Sequence, residues 1–300
     1  MTLDREKHQE IRELVDKLRT SIQDWKSELS NALIIKKPNN FDQILQKREQ
    51  AIIQLFPQNY QIIIPLLKTT ANIILRTPKD YIFHDFEHTF ANVLAQLEIL
   101  LTQTWLSENE NTLLYIAAIG HDIGHLVARE DHEKHSITII EKLLNNKTTK
   151  IKIETIKLLI QATQFPYNKP LENKPEIKKD YPNIDRMINI IRDADIGHLA
   201  TPNFENYVRQ YIKYLCEGLQ LNPRDPKSND ELEIQKSFHK KHHKYKTTAT
   251  KETREKQKIK NLEKLEQIRD NLRQTLENYN FNYDLIEENR PHIRSTINPE

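Results

Sequence analysis

Apolar residues recur at spacings of three and four along almost the whole chain, and strand-like alternation bounded by turn residues is scarce. The pattern predicts an all-α protein. Ile11, Leu14, Val15, Leu18, Ile22, Trp25 and Leu29 share one stripe that a helix would bury, and the stripe stops before the turn-rich Pro38-Asn39-Asn40. Helices are expected next at about 41–55 and 58–76. Pro78 to Asp85 reads as irregular, because proline disfavours helical backbone in the residue before it. Phe90, Val93, Leu94, Leu97 and Leu100 mark a helix within 86–105, and Ser107 before Glu-Asn-Glu resembles the capped start of another that runs through 111–120. Segments 133–145, 151–164, 183–195 and 203–219 follow, with Pro166 to Pro182 as the longest break. Beyond Pro226 a helix is expected to about 243, then a highly charged one over 251–278 whose mixed signs fit a solvated face.

Composition narrows the class. With 37% hydrophobic and 29% charged residues, 300 residues suit a soluble globular protein with a sizeable core, in one large domain or two small ones. Forty-five basic against 43 acidic side chains leave a net charge of +2, so no global field attracts nucleic acid or an anionic membrane. The basic stretch His239 to Lys246 carries one aromatic, Tyr245, and reads as solvated surface rather than an RNA contact. His8, His239, His242 and His243 lie among charged residues and are assigned to the surface. The single Cys216 excludes an intramolecular disulfide framework and a cysteine-based zinc site, and fits a reducing cytoplasm. The N-terminus is charged from the start, and no run approaches ~20 apolar residues, so neither a signal peptide nor a membrane span is expected. A homodimer is compatible with all of this.

The candidate chemistry lies in histidines set beside carboxylates within apolar helical sequence. His84 and His88 are one helical turn apart. His121-Asp122 ends the apolar run YIAAIG, and burying an ionised aspartate there is costly unless a cation or strong partner compensates. His125 follows four residues after His121, and Gly120 and Gly124 permit close backbone approach. A further ligand is expected from DRMINIIRDADIG, where Asp193 and Asp195 both qualify. Imidazole with carboxylate suits zinc, iron or manganese, and a shared carboxylate suits a second, harder ion such as magnesium.

At these residues the chain resembles the HD superfamily, and more narrowly the catalytic domain of class I 3′,5′-cyclic-nucleotide phosphodiesterases, over about 79–245. His84-Asp-Phe-Glu-His88-Thr is similar to that family's H-N-x-x-H-A, with Asp85 for the usual asparagine, which implies a proton-donating His84 and a metal-binding His88. AAIGHDIGH resembles the helix ending in HD-x-x-H, implying His121 and Asp122 as ligands, Asp122 as the bridge between two metals, and His125 behind them. Glu133-Lys-His135 resembles E-N-H, whose glutamate orients water, and IQAT resembles I-L-A-T, placing Thr163 near the second metal, with Gln164 where an aspartate is usual. ADIGHLATP resembles A-D-L-S-x-x-x-x-P with Pro202 in register, which selects Asp195 over Asp193. Gln235-Lys-Ser-Phe238 resembles the Q-x-x-F that clamps the purine.

The resemblance implies an N-terminal helical segment (1–76) packing on the core, a catalytic region (77–250), and a charged C-terminal helix and tail (251–300). It implies two divalent ions, zinc with magnesium or manganese, and a metal-activated hydroxide that converts a cyclic nucleotide to its 5′-monophosphate. The rival readings are an HD-type nucleotidase or phosphomonoesterase, which needs no purine clamp, and a non-enzymatic helical interaction protein with a vestigial site.

Overall fold

The computed structural model describes residues 40–75, 84–128, 131–144, 150–164, 175–204, 207, 208, 210 and 245–268. The N-terminal stripe, Cys216, Gln235, Phe238 and the four histidines assigned to the surface lie outside these residues. The helices are α1 (Phe41–Leu55), α2 (Tyr60–Ile74), a π-helical segment (Glu87–Val93) running into α3 (Leu94–Thr102), α4 (Glu108–Gly120), α5 (His132–Leu143), α6 (Lys150–Ala162), α7 (Pro175–Asp180), α8 (Ile184–Asp195) and α9 (Thr248–Ile268). Short 3₁₀ turns at Ile123–Leu126 and Gly197–Ala200 follow α4 and α8. No strand occurs among the described residues, so the all-α expectation holds.

Helix α4 lies at the centre of the core. Its residues from Thr112 to Gly120 are all buried, and it packs against α2, α3, α5, α6 and α8. Ile52 and Phe56 from α1 and its end, Ile63 and Leu67 from α2, and Phe90, Leu94 and Leu97 from the π segment and α3 fill the same core. A partly buried polar link joins them: Arg48 of α1 donates to Glu98 of α3 at 2.6 Å, and the Tyr115 hydroxyl of α4 donates to the same carboxylate at 2.7 Å. Burial pushes the Glu98 carboxyl up, against the pull of Arg48 and the Tyr115 hydrogen bond.

The expected Ser107 cap is a full capping box. Ser107 Oγ accepts from the Glu110 amide at 3.3 Å, and the Glu110 carboxylate accepts from the Ser107 amide at 2.9 Å. The other Glu110 oxygen accepts from Asn183 Nδ2 at 3.0 Å, at the start of α8. Helices α4 and α8 thus begin together and run side by side, and their similar lengths, 13 and 12 residues, bring their C-terminal ends level.

The α4 helix stops at Gly120, so His125 is carried by the following 3₁₀ turn rather than by the helical face that bears His121. That turn is pressed against α5. Gly124 N–H donates to Ser136 Oγ at 2.8 Å, and the same hydroxyl donates to the His121 carbonyl at 2.6 Å. A Cβ on Gly124 would lie 1.9 Å from the His132 carbonyl oxygen, whereas one on Gly120 would meet only the Ile140 side chain, at 2.3 Å. Tyr245 is also internal, fully buried with Lys258 Nζ 5.3 Å from its ring centre, so it offers no exposed face for stacking.

Backbone cannot yield as a side chain can, so Gly124→Ala is expected to cost about 3 kcal/mol and Gly120→Ala about 1 kcal/mol, near the two ends of the overpacking range. Urea unfolding of the two variants checks this; equal losses would contradict it.

Candidate metal centre

Buried imidazoles and carboxylates converge where α4 and α8 end. His88 enters from the π segment, where the Asp85 carboxylate accepts its backbone N–H at 2.9 Å and so caps the start of that segment. His121 and Asp122 come from the end of α4, and Asp195 from the last residue of α8. Burial of His88, His121 and Asp122 is almost complete, at 1%, 1% and 5% exposure.

The two oxygens of Asp122 face different neighbours. Oδ2 lies 3.1 Å from His121 Nε2 and 3.3 Å from His88 Nε2, and those nitrogens are 3.4 and 3.5 Å from Asp195 Oδ1. Oδ1 turns the other way, 3.4 Å from His132 Nε2 and 3.9 Å from His125 Nε2. Two sets of potential ligands therefore share one carboxylate: His88, His121 and Asp195 form one compact group, and His84, Asp122 and His125 form another.

Around the second set three imidazoles stack, with His132 joining His84 and His125. His125 lies between His84, at 4.2 Å between ring centres, and His132, at 3.8 Å. His84 also meets His88 edge-on at 5.6 Å. Asp193, the rival to Asp195, points elsewhere: its carboxylate accepts the N–H groups of Lys246 and Thr247 at 2.7 and 2.8 Å. Glu133 is buried on α5 with Oε1 3.3 Å from His132 Nε2. His135, half-buried, and Thr163, whose hydroxyl donates to the Ile160 carbonyl at 2.8 Å, make no hydrogen bond or ion pair with the cluster among the described residues.

Two residues not singled out in the sequence join the cluster. His132 is one; helical spacing puts it in line with the buried Ser136 and Ile140, a signal present in the sequence. His198, on the turn after Asp195, is the other, with its ring centre 6.0 Å from that of His88. Nothing in the local pattern distinguishes it from a surface histidine.

The electrostatics call for positive charge. Burial opposes the protonation of His88, yet Asp122 and Asp195 outweigh it and hold the imidazole up at about 9. His121 is likewise raised well above its usual range against burial. Burial would raise the Asp122 carboxyl, but the charges of His121 and His84 and the close approach of the His121 and His132 rings hold it well below the carboxylate range, and Asp195 is lowered against burial by His121 and His88. His125, with burial and the charge of His84 against it, is pushed down to about 2, so it stays neutral. Helix ends add to the demand, because the carbonyl termini of α4 and α8 carry partial negative charge into the same place.

The residues present fit a divalent cation. His121 Nδ1 lies 2.9 Å from the Ala118 carbonyl, which can only accept, so the proton sits on Nδ1 and Nε2 presents its lone pair. His121 Nε2 and Asp122 Oδ2 are fully buried and make no hydrogen bond among the described residues, although they face each other. A cation between them satisfies both.

The family model of the HD domain matches residues 85–200. Over that stretch the chain is similar to an HD domain. HD domains bind divalent metals, and the match supports a metal-dependent phosphohydrolase. The HD segment takes in every member of the cluster except His84, one residue before it, and leaves α1, α2 and α9 outside. No curated protein matches the chain. No helix among the described residues is long and apolar enough to cross a membrane.

If the cluster is a metal centre, Co²⁺ or Mn²⁺ should raise the melting temperature, by the equivalent of about 2.7 kcal/mol at a hundred times the dissociation constant. Asp122→Ala should abolish that rise in a thermal-shift titration; a rise that survives would place the ion elsewhere. The two nearby aspartates should separate cleanly. Asp195→Ala is expected to lose most of the Co²⁺ affinity, whereas Asp193→Ala, which strands two backbone donors, is expected to lose mainly stability, about 1–3 kcal/mol. Titration and melting of both variants decide it, and the reverse order would mean that Asp193 is the ligand.

Proposed function

We propose that the chain is a metal-dependent phosphodiesterase that hydrolyses 3′,5′-cyclic nucleotides to 5′-monophosphates. The observation that carries the phosphodiesterase reading is that one buried carboxylate, Asp122, turns one oxygen toward His88 and His121 and the other toward His125 and His132. A carboxylate shared in this way suits a pair of cations, and paired cations serve the in-line displacement of phosphate esters. The cyclic-nucleotide substrate rests on the sequence: the match of His84–Thr89 to the phosphodiesterase histidine motif, and Gln235 with Phe238 as a purine clamp.

His88, His121, Asp122 and Asp195 would hold the first ion, and Asp122 with the imidazoles on its other side would hold the second. Bound ions would supply Lewis acidity and lower the pKa of water. The remaining steps fall to the chain's own groups. Glu133, buried beside His132, orients the attacking water. As water oxygen bonds to phosphorus, the bond from phosphorus to ribose O3′ breaks, and His84 delivers a proton to O3′. His84 is half-buried, less deeply than the buried His125 on which it stacks, which suits a group that must reach a substrate atom. Gln235 would bond the purine edge and Phe238 would stack on its face.

His84 cannot serve as ligand and acid through the same nitrogen, so His84→Ala discriminates. As proton donor it should reduce turnover on the order of 10²- to 10⁴-fold with metal content unchanged. Loss of one ion per chain, read by elemental analysis, would make His84 a ligand instead.

Phe238→Ala tests the substrate. Removal of a stacking contact worth about 1–3 kcal/mol should weaken a cyclic purine nucleotide. Hydrolysis of bis-p-nitrophenyl phosphate, which has no base, should hardly change. Equal effects on both substrates would favour the nucleotidase or phosphomonoesterase reading.

A further inference from the structure

Helix α9 lies beyond the HD match, yet two buried side chains join it to the segment around Asp195. At its start, Asp193 accepts the N–H groups of Lys246 and Thr247, and Thr247 Oγ1 accepts the Thr250 amide at 3.2 Å, so the first turn is both capped and anchored to α8. Further along, Asn261 is fully buried in the helix, an unusual place for a side-chain amide. Its Nδ2 donates to the Leu199 carbonyl at 3.1 Å and to the Thr201 carbonyl at 2.9 Å, and its Oδ1 accepts from Gln257 Nε2 at 2.9 Å. One amide therefore grips the turn that follows Asp195.

The opposite side of that turn is also fixed. Gly197 packs so closely on α3 that a Cβ there would lie 2.4 Å from Gln96 Cγ. The turn further contacts the π segment that carries His88, and it aims His198 at the His88 ring, 6.0 Å between centres. Asp195 thus sits between two attachments to α9, one at residue 193 and one at 199–201, and its carboxylate faces His88 and His121 at 3.5 and 3.4 Å.

We propose that Asn261 is a positioning residue for the metal centre: through its bonds to Leu199 in the Gly197–Ala200 turn and to Thr201 just after it, α9 sets the place of Asp195 relative to His88 and His121. The inference rests on the reading of that cluster as a cation site. Residues that orient ligands without touching the ion typically contribute 10- to 100-fold in affinity, the effect expected here. Reciprocity follows: if the attachment of α9 tightens cation binding, cation binding must tighten the attachment of α9 by the same factor.

The test is a Co²⁺ titration of the full chain, followed by the visible absorption of the bound ion. Asn261→Asp, which turns the donor into an oxygen facing two carbonyls, should weaken Co²⁺ on the order of 10- to 100-fold. Ser107→Ala, which loses a cap at the far end of α4, is the control for general destabilisation and should bind as the wild type does. Wild-type affinity in Asn261→Asp would make the contact merely structural and overturn the proposal. Should that variant not fold, amide hydrogen exchange of the wild type decides: Co²⁺ should slow exchange in 245–262 as well as in 195–201, and no change in 245–262 overturns it. A wild type that takes up no Co²⁺ overturns the metal reading as well, so the two failures are distinct.

Discussion

A carboxylate buried as deeply as Asp122 must be surrounded by positive charge or by donors, since an isolated ion in such a place is too costly to keep. The surrounding architecture answers that demand. Imidazoles approach both Asp122 oxygens from the π segment, from the end of α4 and from α5, and Asp195 completes the first group from α8. Two carboxylates and several histidines cannot share so small a volume on charge–charge terms alone, which is why His88 and His121 are driven toward protonation while His125 is held neutral. A divalent cation would resolve this conflict with the same residues.

Delivery of those ligands depends on parallel helices of matched length. The Glu110 carboxylate joins the starts of α4 and α8, and each helix then carries its chemistry at its C-terminal end, where the helix dipole favours a cation. Past those ends the chain makes short 3₁₀ turns, each held by close backbone approach at a glycine: Gly124 against α5 and Gly197 against α3. Ser136 bonds both the Gly124 N–H and the His121 carbonyl, so α5 positions the turn of α4 while contributing His132 itself. Asp131, immediately before His132, adopts left-handed backbone at φ 53°, a conformation aspartate tolerates, and begins α5 at the site.

The HD match covers the elements that carry the cluster apart from His84, whereas helices outside it help to hold them in place. Arg48 of α1 pairs with the half-buried Glu98, which Tyr115 of α4 also bonds, and α9 clasps the turn after Asp195 through Asn261. The ion pair and the amide both belong to segments whose sequences look like ordinary surface-rich helices. Their contribution is tertiary, and it keeps a costly cluster of charged groups in one arrangement.

The all-α fold, the helix α1 at 41–55 and the Ser107 cap were legible in the sequence because they depend on local periodicity and on interactions within one turn. That His121 and Asp122 belong to a buried charged cluster was legible for a related reason: titratable residues inside an apolar run imply a compensating partner. The choice of Asp195 over Asp193 came from resemblance. Their spacing along a helix offers both, and only the fold turns one toward His88 and the other toward the amides before α9. His132, His198 and Asn261 were decided by tertiary structure, since each acquires its role from an element distant in sequence: Asp122, His88, and the turn at 199–201 respectively. Local sequence determines which side chains a helix can present; which of them meet depends on how the helices pack.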